Sequence, residues 1–75
     1  MKLHTYTLNE LRLAAAAGDN LYALDTGEDG FDDVLYGLDA KEVIREICYE
    51  HDTNAMPDHW TLRLVSLEEV EARFK

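Results

Sequence analysis

The chain has 75 residues, of which 47% are hydrophobic and 31% are charged, so its length suits one small globular domain. Its 16 Asp and Glu residues outnumber its 7 Lys and Arg residues, which gives a formal net charge of −9. Direct nucleic-acid binding needs a surplus of Lys and Arg to neutralise phosphates. The composition therefore argues against a multidomain enzyme and against a protein that binds nucleic acid directly.

Three features of the sequence predict a cytoplasmic protein that does not contact a membrane. Cys48 is the single cysteine, so the chain cannot form the internal disulfides that are typical of small secreted domains. The first ten residues lack the apolar stretch of a signal peptide. The longest apolar run, residues 13–17, is far too short to span a bilayer.

The chain begins with a predicted strand and a predicted short helix. Residues 2–6 combine β-branched and aromatic side chains, as strands do. Thr7 is followed three residues later by Glu10, which is the spacing of a capping box at the start of a helix. Gly18 is a typical residue just beyond a helix end, so we expect the helix to stop before it.

A five-residue pattern then occurs twice and predicts a β-hairpin. Leu-Tyr-Ala-Leu-Asp at residues 21–25 recurs as Leu-Tyr-Gly-Leu-Asp at residues 35–39. Two paired strands favour similar cross-strand side chains, so we predict strands at Asn20–Asp25 and at residues 34–38. A helix over residues 20–24 is an alternative, because short apolar runs are ambiguous.

The strongest periodic signal predicts an amphipathic helix over residues 40–51, with Asp39 as its N-cap. Its inner face would contain Ala40, Val43, Ile44, Ile47, Cys48 and His51. Its outer face would contain Lys41, Glu42, Arg45, Glu46, Tyr49 and Glu50.

The C-terminal part predicts one more strand and a last short helix. Residues 60–65 alternate in polarity, which places Trp60, Leu62 and Leu64 on one buried face. Ser66 then begins another capping box. The predicted order β-α-β-β-α-β plus a short α-helix matches the ferredoxin-like split βαβ plan, an α+β fold with helices on one face of an antiparallel sheet. A simpler α+β meander is the alternative.

The sequence contains no convincing catalytic, cofactor or metal motif. In the loop after residue 24, four residues fit a calcium loop, but three others depart from it at Gly27, Asp32 and Tyr36. Cys48 and His51 are too few ligands for zinc, and no oxyanion loop accompanies them or His59 as a nucleophile pair. We therefore expect a non-enzymatic protein that folds without a metal or cofactor.

The acidic residues are concentrated in residues 19–52, where eleven acids oppose only Lys41 and Arg45. We expect the hairpin tip and the outer face of the second helix to display them. An exposed aromatic residue on that helix would anchor a protein contact. The predicted partner-binding residues are Glu28, Asp29, Asp32, Asp33, Glu42, Glu46, Tyr49 and Glu50. The alternative interpretation is that these acids only keep the protein in solution.

Spaced carboxylates can occupy a protein surface that evolved to bind phosphates. The chain resembles phage inhibitors such as DNA mimics and anti-CRISPR proteins in size, acidity and absence of catalytic motifs. That resemblance implies a basic, nucleic-acid-handling protein as the partner. The alternative is a small regulatory or structural domain that acts as a homo-oligomer, which would compensate for its small core.

Overall fold

The computed structural model describes residues 6–27, 31 and 33–74. Its elements in chain order are α1 (Leu8–Ala16), β1 (Asn20–Asp25), β2 (Asp33–Gly37), α2 (Ala40–Glu50), β3 (Thr61–Val65) and α3 (Leu67–Arg73). The predicted strand at residues 2–6 lies outside the described part, apart from Tyr6, which belongs to no strand. Within the described part, no helix combines the length and the apolar character that crossing a bilayer requires.

Local capping residues set the start of each helix where the sequence predicts it. The Thr7 side chain accepts a hydrogen bond from Glu10 N–H at 3.1 Å, and the Glu10 carboxylate accepts one from Thr7 N–H at 3.0 Å. Asp39 and Ser66 likewise accept hydrogen bonds from main-chain N–H groups in the first turns of α2 and α3. These bonds satisfy donors that a helix start leaves without partners, and they confirm the predicted caps.

The sheet has three described strands in the order β2-β1-β3, and both pairs are antiparallel. Leu21 lies opposite Tyr36, and Tyr22 lies opposite Leu35. The first two residues of each copy of the repeated pattern therefore face each other, and the predicted hairpin is confirmed. On its other side β1 pairs with β3, where Tyr22 lies opposite Leu64.

The α+β class is confirmed, but the ferredoxin-like strand order is not found. Because β2 and β3 both run antiparallel to β1, they are parallel to each other, and α2 connects them. This β2-α2-β3 segment with β1 between its strands is one split βαβ unit. The predicted plan required a second such unit that included residues 2–6. With β2 and β3 on its two sides, β1 has no free edge for another strand.

Both faces of the central strand β1 contribute to the core. Residues 21–24 of β1 are all buried, and successive strand residues point to opposite faces. The core cluster consists of Tyr6, Leu11, Ala14, Leu21, Tyr22, Leu24, Leu35, Val43, Ile47 and Val70. Helices α1 and α3 are linked by an ion pair between Arg12 and Glu71. Helix α2 packs against the end of β2, where a Cβ on Gly37 would lie 3.0 Å from Val43 Cγ2.

The predicted inner face of α2 is largely confirmed, whereas the predicted face of β3 needs a correction. Val43, Ile47 and Cys48 are buried and Ile44 is half-buried. Leu64, predicted to be buried, is 63% exposed. Alternation correctly assigns Leu64 to one face of the sheet, but it cannot show whether a helix covers that face at an edge strand.

Candidate functional site

The structure describes five of the eight predicted partner-binding residues, some of them exposed and the others half-buried. Glu28, Asp29 and Asp32 lie outside the described residues. Glu42 and Tyr49 are exposed on α2, and the Tyr49 side chain, at 69% exposure, confirms its predicted position on the outer face. Asp33, Glu46 and Glu50 are half-buried.

Asp33 is the first residue of β2, next to the hairpin loop, and it lies beside the end of α2. Its Oδ2 atom is 3.4 Å from Nε2 of His51, the C-cap residue of α2. The His51 ring also packs edge-on against Trp60, with 4.8 Å between the ring centroids. His51 therefore connects the acidic hairpin to α2 and to the residue that precedes β3.

Glu46, predicted on the outer face of α2, is half-buried and has a hydrogen-bond partner within the chain. The Tyr6 hydroxyl donates a 2.6 Å hydrogen bond to Glu46 Oε1. The Tyr6 ring packs against Tyr36 at a centroid distance of 4.7 Å. Burial is the main cause that raises the pKa of Tyr6, and the hydrogen bond to the Glu46 carboxylate raises it further. Tyr6 thus stays protonated as a donor and fixes the position of this carboxylate.

These contacts bring acids from separate elements around one small pocket. Its polar lining consists of Asp33, Glu46, Glu50, His51 and Tyr6, and its apolar floor consists of Leu35 and Ile47. Three carboxylates in one place can accept hydrogen bonds from cationic groups of a partner. Among the described residues, no group of three or more His, Cys, Asp or Glu side chains is arranged to hold a metal ion.

The residues considered for metal or nucleophile chemistry have other surroundings. The Asp25 carboxylate accepts a 2.8 Å hydrogen bond from Gly27 N–H, so it closes its own turn. Cys48 is buried on α2, while the ring of His51 is directed to Asp33 and Trp60. The exposed His59 packs its ring against Trp60, with 6.2 Å between centroids.

Sequence reasoning missed Tyr6 and His51 as the residues that contact Glu46 and Asp33. Tyr6 is separated from Glu46 by 40 residues, and His51 from Asp33 by 18. No periodicity or cap signal relates residues so far apart. The polar His51 at the end of an apolar helical face was the one visible hint of a specific partner.

No protein-family model matches the chain, and neither the curated proteins nor the solved structures show a significant match. The functional interpretation therefore depends on the residues of this chain.

Proposed function

We propose that this chain is a small acidic, non-enzymatic binding protein that docks on a basic surface of a nucleic-acid-handling protein. It would act as an inhibitor or nucleic-acid mimic, in the manner of phage anti-defence or anti-CRISPR proteins. The observation that carries the proposal is the convergence of Asp33 from the hairpin with Glu46 and Glu50 from α2 around one pocket. Acids that are scattered in the sequence thus contribute to one surface.

The acidic surface, which we define as Asp33, Glu42, Glu46 and Glu50, has the charge and order that such docking requires. On α2, carboxylates four residues apart are separated by about 6 Å along the helix axis. The contacts of Tyr6 with Glu46 and of His51 with Asp33 hold two of the four in place. A surface that is already ordered loses less conformational entropy when it binds.

The proposed partner also suggests where the protein acts. Proteins that handle nucleic acid in a bacterium, including those of an infecting phage, act in the bacterial cytoplasm. A single buried thiol such as Cys48 suits that reducing compartment. The proposal therefore includes a cytoplasmic location.

Reversing two acids on α2, the exposed Glu42 and the half-buried Glu50, tests the proposal. Binding of the wild-type chain is measured against a panel of purified DNA- and RNA-binding proteins. We expect at least one to bind, to lose about tenfold or more in affinity between 0.1 and 0.5 M salt, and to be displaced by duplex DNA. The double variant Glu42→Lys/Glu50→Lys is expected to lose that binding. Glu46 is left unchanged because its reversal would break the contact with Tyr6.

The matched control is Asp58→Lys/Glu68→Lys, which changes the net charge equally at exposed positions outside the acidic surface. It is expected to retain most of the binding. Equal losses in the two variants would mean that only the net charge matters. The absence of binding to every panel protein, or binding that salt and DNA do not affect, would contradict the proposal.

One observation favours a second candidate, a homo-oligomer. Leu64 is 63% exposed on β3, an edge of the described sheet, and edge strands can pair with a second copy. However, a symmetric antiparallel pairing centred on Arg63 would place two like charges opposite each other. Sedimentation equilibrium distinguishes the candidates: a dimer mass that Leu64→Lys converts to a monomer mass would support the oligomer. We expect the monomer mass for both proteins.

A further inference from the structure

A groove at the C-terminal end of α2 combines an open aromatic ring with an open carboxylate. It is lined by Cys48, Tyr49, Asp52, Thr53 and Asn54. Tyr49 is 69% exposed and Asp52 is also exposed. The Asp52 carboxylate makes no hydrogen bond or ion pair within the described part of the chain. Both groups are therefore available to a ligand that enters the groove.

The charge around this groove favours a cation. The last turn of α2 contains no basic residue, and the carbonyl end of a helix carries partial negative charge. Glu50 and Asp52 add formal negative charge at the same helix end. Acids at this position usually destabilise a helix, so a positively charged group from outside would improve the local electrostatics.

Asp52 occupies the position at the end of α2 that a glycine occupies at the end of α1. Helices α1 and α2 both end in the same motif of paired main-chain hydrogen bonds, closed at α2 by Asp52 N–H to Tyr49 O and Thr53 N–H to Cys48 O. At α1 the left-handed residue of the motif is Gly18, with φ 94°. At α2 it is Asp52, with φ 54°. Helix termination alone favours glycine at this position, and Asp52 places a carboxylate there instead.

We propose that this groove receives an arginine side chain of the basic partner, with the guanidinium stacked on Tyr49 and hydrogen-bonded to Asp52. This inference rests on the proposed function, because it names one anchor of the same docking event. Arginine fits better than lysine, because its planar guanidinium stacks on an aromatic ring and pairs with a carboxylate through two parallel bonds. Tyrosine and arginine are also the residue types that dominate many protein interfaces.

Two peptides of equal length and charge test the inference without knowledge of the partner. An arginine nonapeptide and a lysine nonapeptide are titrated into the protein, and amide NMR shifts and dissociation constants are recorded. We expect the arginine peptide to bind about five- to tenfold more tightly, with shifts centred on residues 48–54. Tyr49→Ala and Asp52→Asn should each reduce that preference to about twofold or less.

Asp58→Asn is the matched control, because it removes one exposed acid outside the groove. It should leave the preference for arginine unchanged. If both peptides bind equally to the wild type, or if Tyr49→Ala keeps the preference, the groove is not an arginine site. The proposed function would still stand in that case, provided that the peptides bind the acidic surface. Failure of both peptides to bind would contradict the groove and the acidic surface together.

A third variant separates binding from folding. Asp52→Gly places the preferred residue in the left-handed position and removes the unfavourable charge from the helix end. We expect its Tm to rise by a few degrees while its preference for arginine is lost. A variant that is both less stable and equally selective would show that Asp52 has only a structural role.

Discussion

Replacing Ile47 with alanine is expected to lower the free energy of unfolding by about 2–5 kcal/mol. Ile47 is 1% exposed and belongs to the core cluster. Truncation removes the contacts that the Ile47 side chain makes between α2 and the core cluster. It also leaves a cavity beside Leu35, which lines the same pocket. Since a domain of this size has a total stability of only about 4–11 kcal/mol, the loss should be obvious in urea unfolding followed by circular dichroism.

Ile44 provides a matched control within the same helix, because it is the same residue type but only half-buried. We expect Ile44→Ala to cost clearly less than Ile47→Ala. If Ile47→Ala fails to fold, Ile47→Val supplies the comparison, with an expected cost of about 0.5–1.5 kcal/mol. A larger loss at position 44 than at position 47 would mean that α2 faces the sheet differently.

The sequence correctly predicted the elements that depend on residues close together in the chain, such as helix caps, helical periodicity and a hairpin. The capping box of Thr7 and Glu10 correctly predicts that α1 begins directly after Thr7. The periodicity of residues 40–51 predicts both the extent of α2 and its buried side, although Ile44 and His51 are only half-buried and Ala40 is exposed. The repeated pattern predicts the pairing of β1 with β2 because cross-strand neighbours select similar side chains.

The strand order could not be predicted in the same way. The alternation of apolar and polar residues around Leu62 and Leu64 predicts a strand with one buried face. It does not indicate which other strand lies beside it in an antiparallel sheet. Its pairing with β1 depends on contacts between residues about 40 positions apart, which no short-range pattern encodes. The exposure of Leu64 also follows from the strand order, because that order places β3 at an edge of the described sheet.

The sequence predicted the candidate site as two separate acidic elements, the hairpin tip and the outer face of α2. In the structure, Asp33 of the hairpin lines one pocket together with Glu46 and Glu50 of α2. Helical periodicity assigns Glu46 to the outer face of α2, and that assignment is geometrically reasonable. Periodicity cannot show that a tyrosine from the segment before α1 reaches over to this carboxylate. The three tip acids lie outside the described residues, so their contribution stays a prediction.

Replacing Tyr6 with phenylalanine is expected to cost about 1.5–3 kcal/mol at neutral pH, the usual range for a hydrogen bond to a charged group. The variant keeps the buried ring and its contact with Tyr36 but loses the 2.6 Å bond to Glu46. This bond links the residue before the N-cap of α1 to the middle of α2. Urea unfolding of both proteins at pH 7 measures the difference.

The same hydrogen bond predicts a dependence of stability on alkaline pH. Burial and the Glu46 carboxylate raise the pKa of Tyr6 above the ordinary value of about 10 for a tyrosine, so the folded protein holds this proton more tightly than the unfolded chain. The stabilising contribution is therefore complete below pH 10 and is lost as the pH rises above it. We expect the stability difference between wild type and Tyr6→Phe to shrink above pH 10, by up to about 1.4 kcal/mol per pH unit.

A double-mutant cycle separates the hydrogen bond from loss of packing. Tyr6→Phe, Glu46→Ala and the double variant should show a coupling energy of about 1–2 kcal/mol at pH 7. Tyr36→Phe removes a hydroxyl that has no hydrogen-bond partner in the described part of the chain, so it should change stability by about 0.5 kcal/mol or less. A coupling energy near zero, or a loss at Tyr36 equal to that at Tyr6, would show that Tyr6 does not fix Glu46. In that event Glu46 would be free to project outward with Glu42, as the sequence alone suggests.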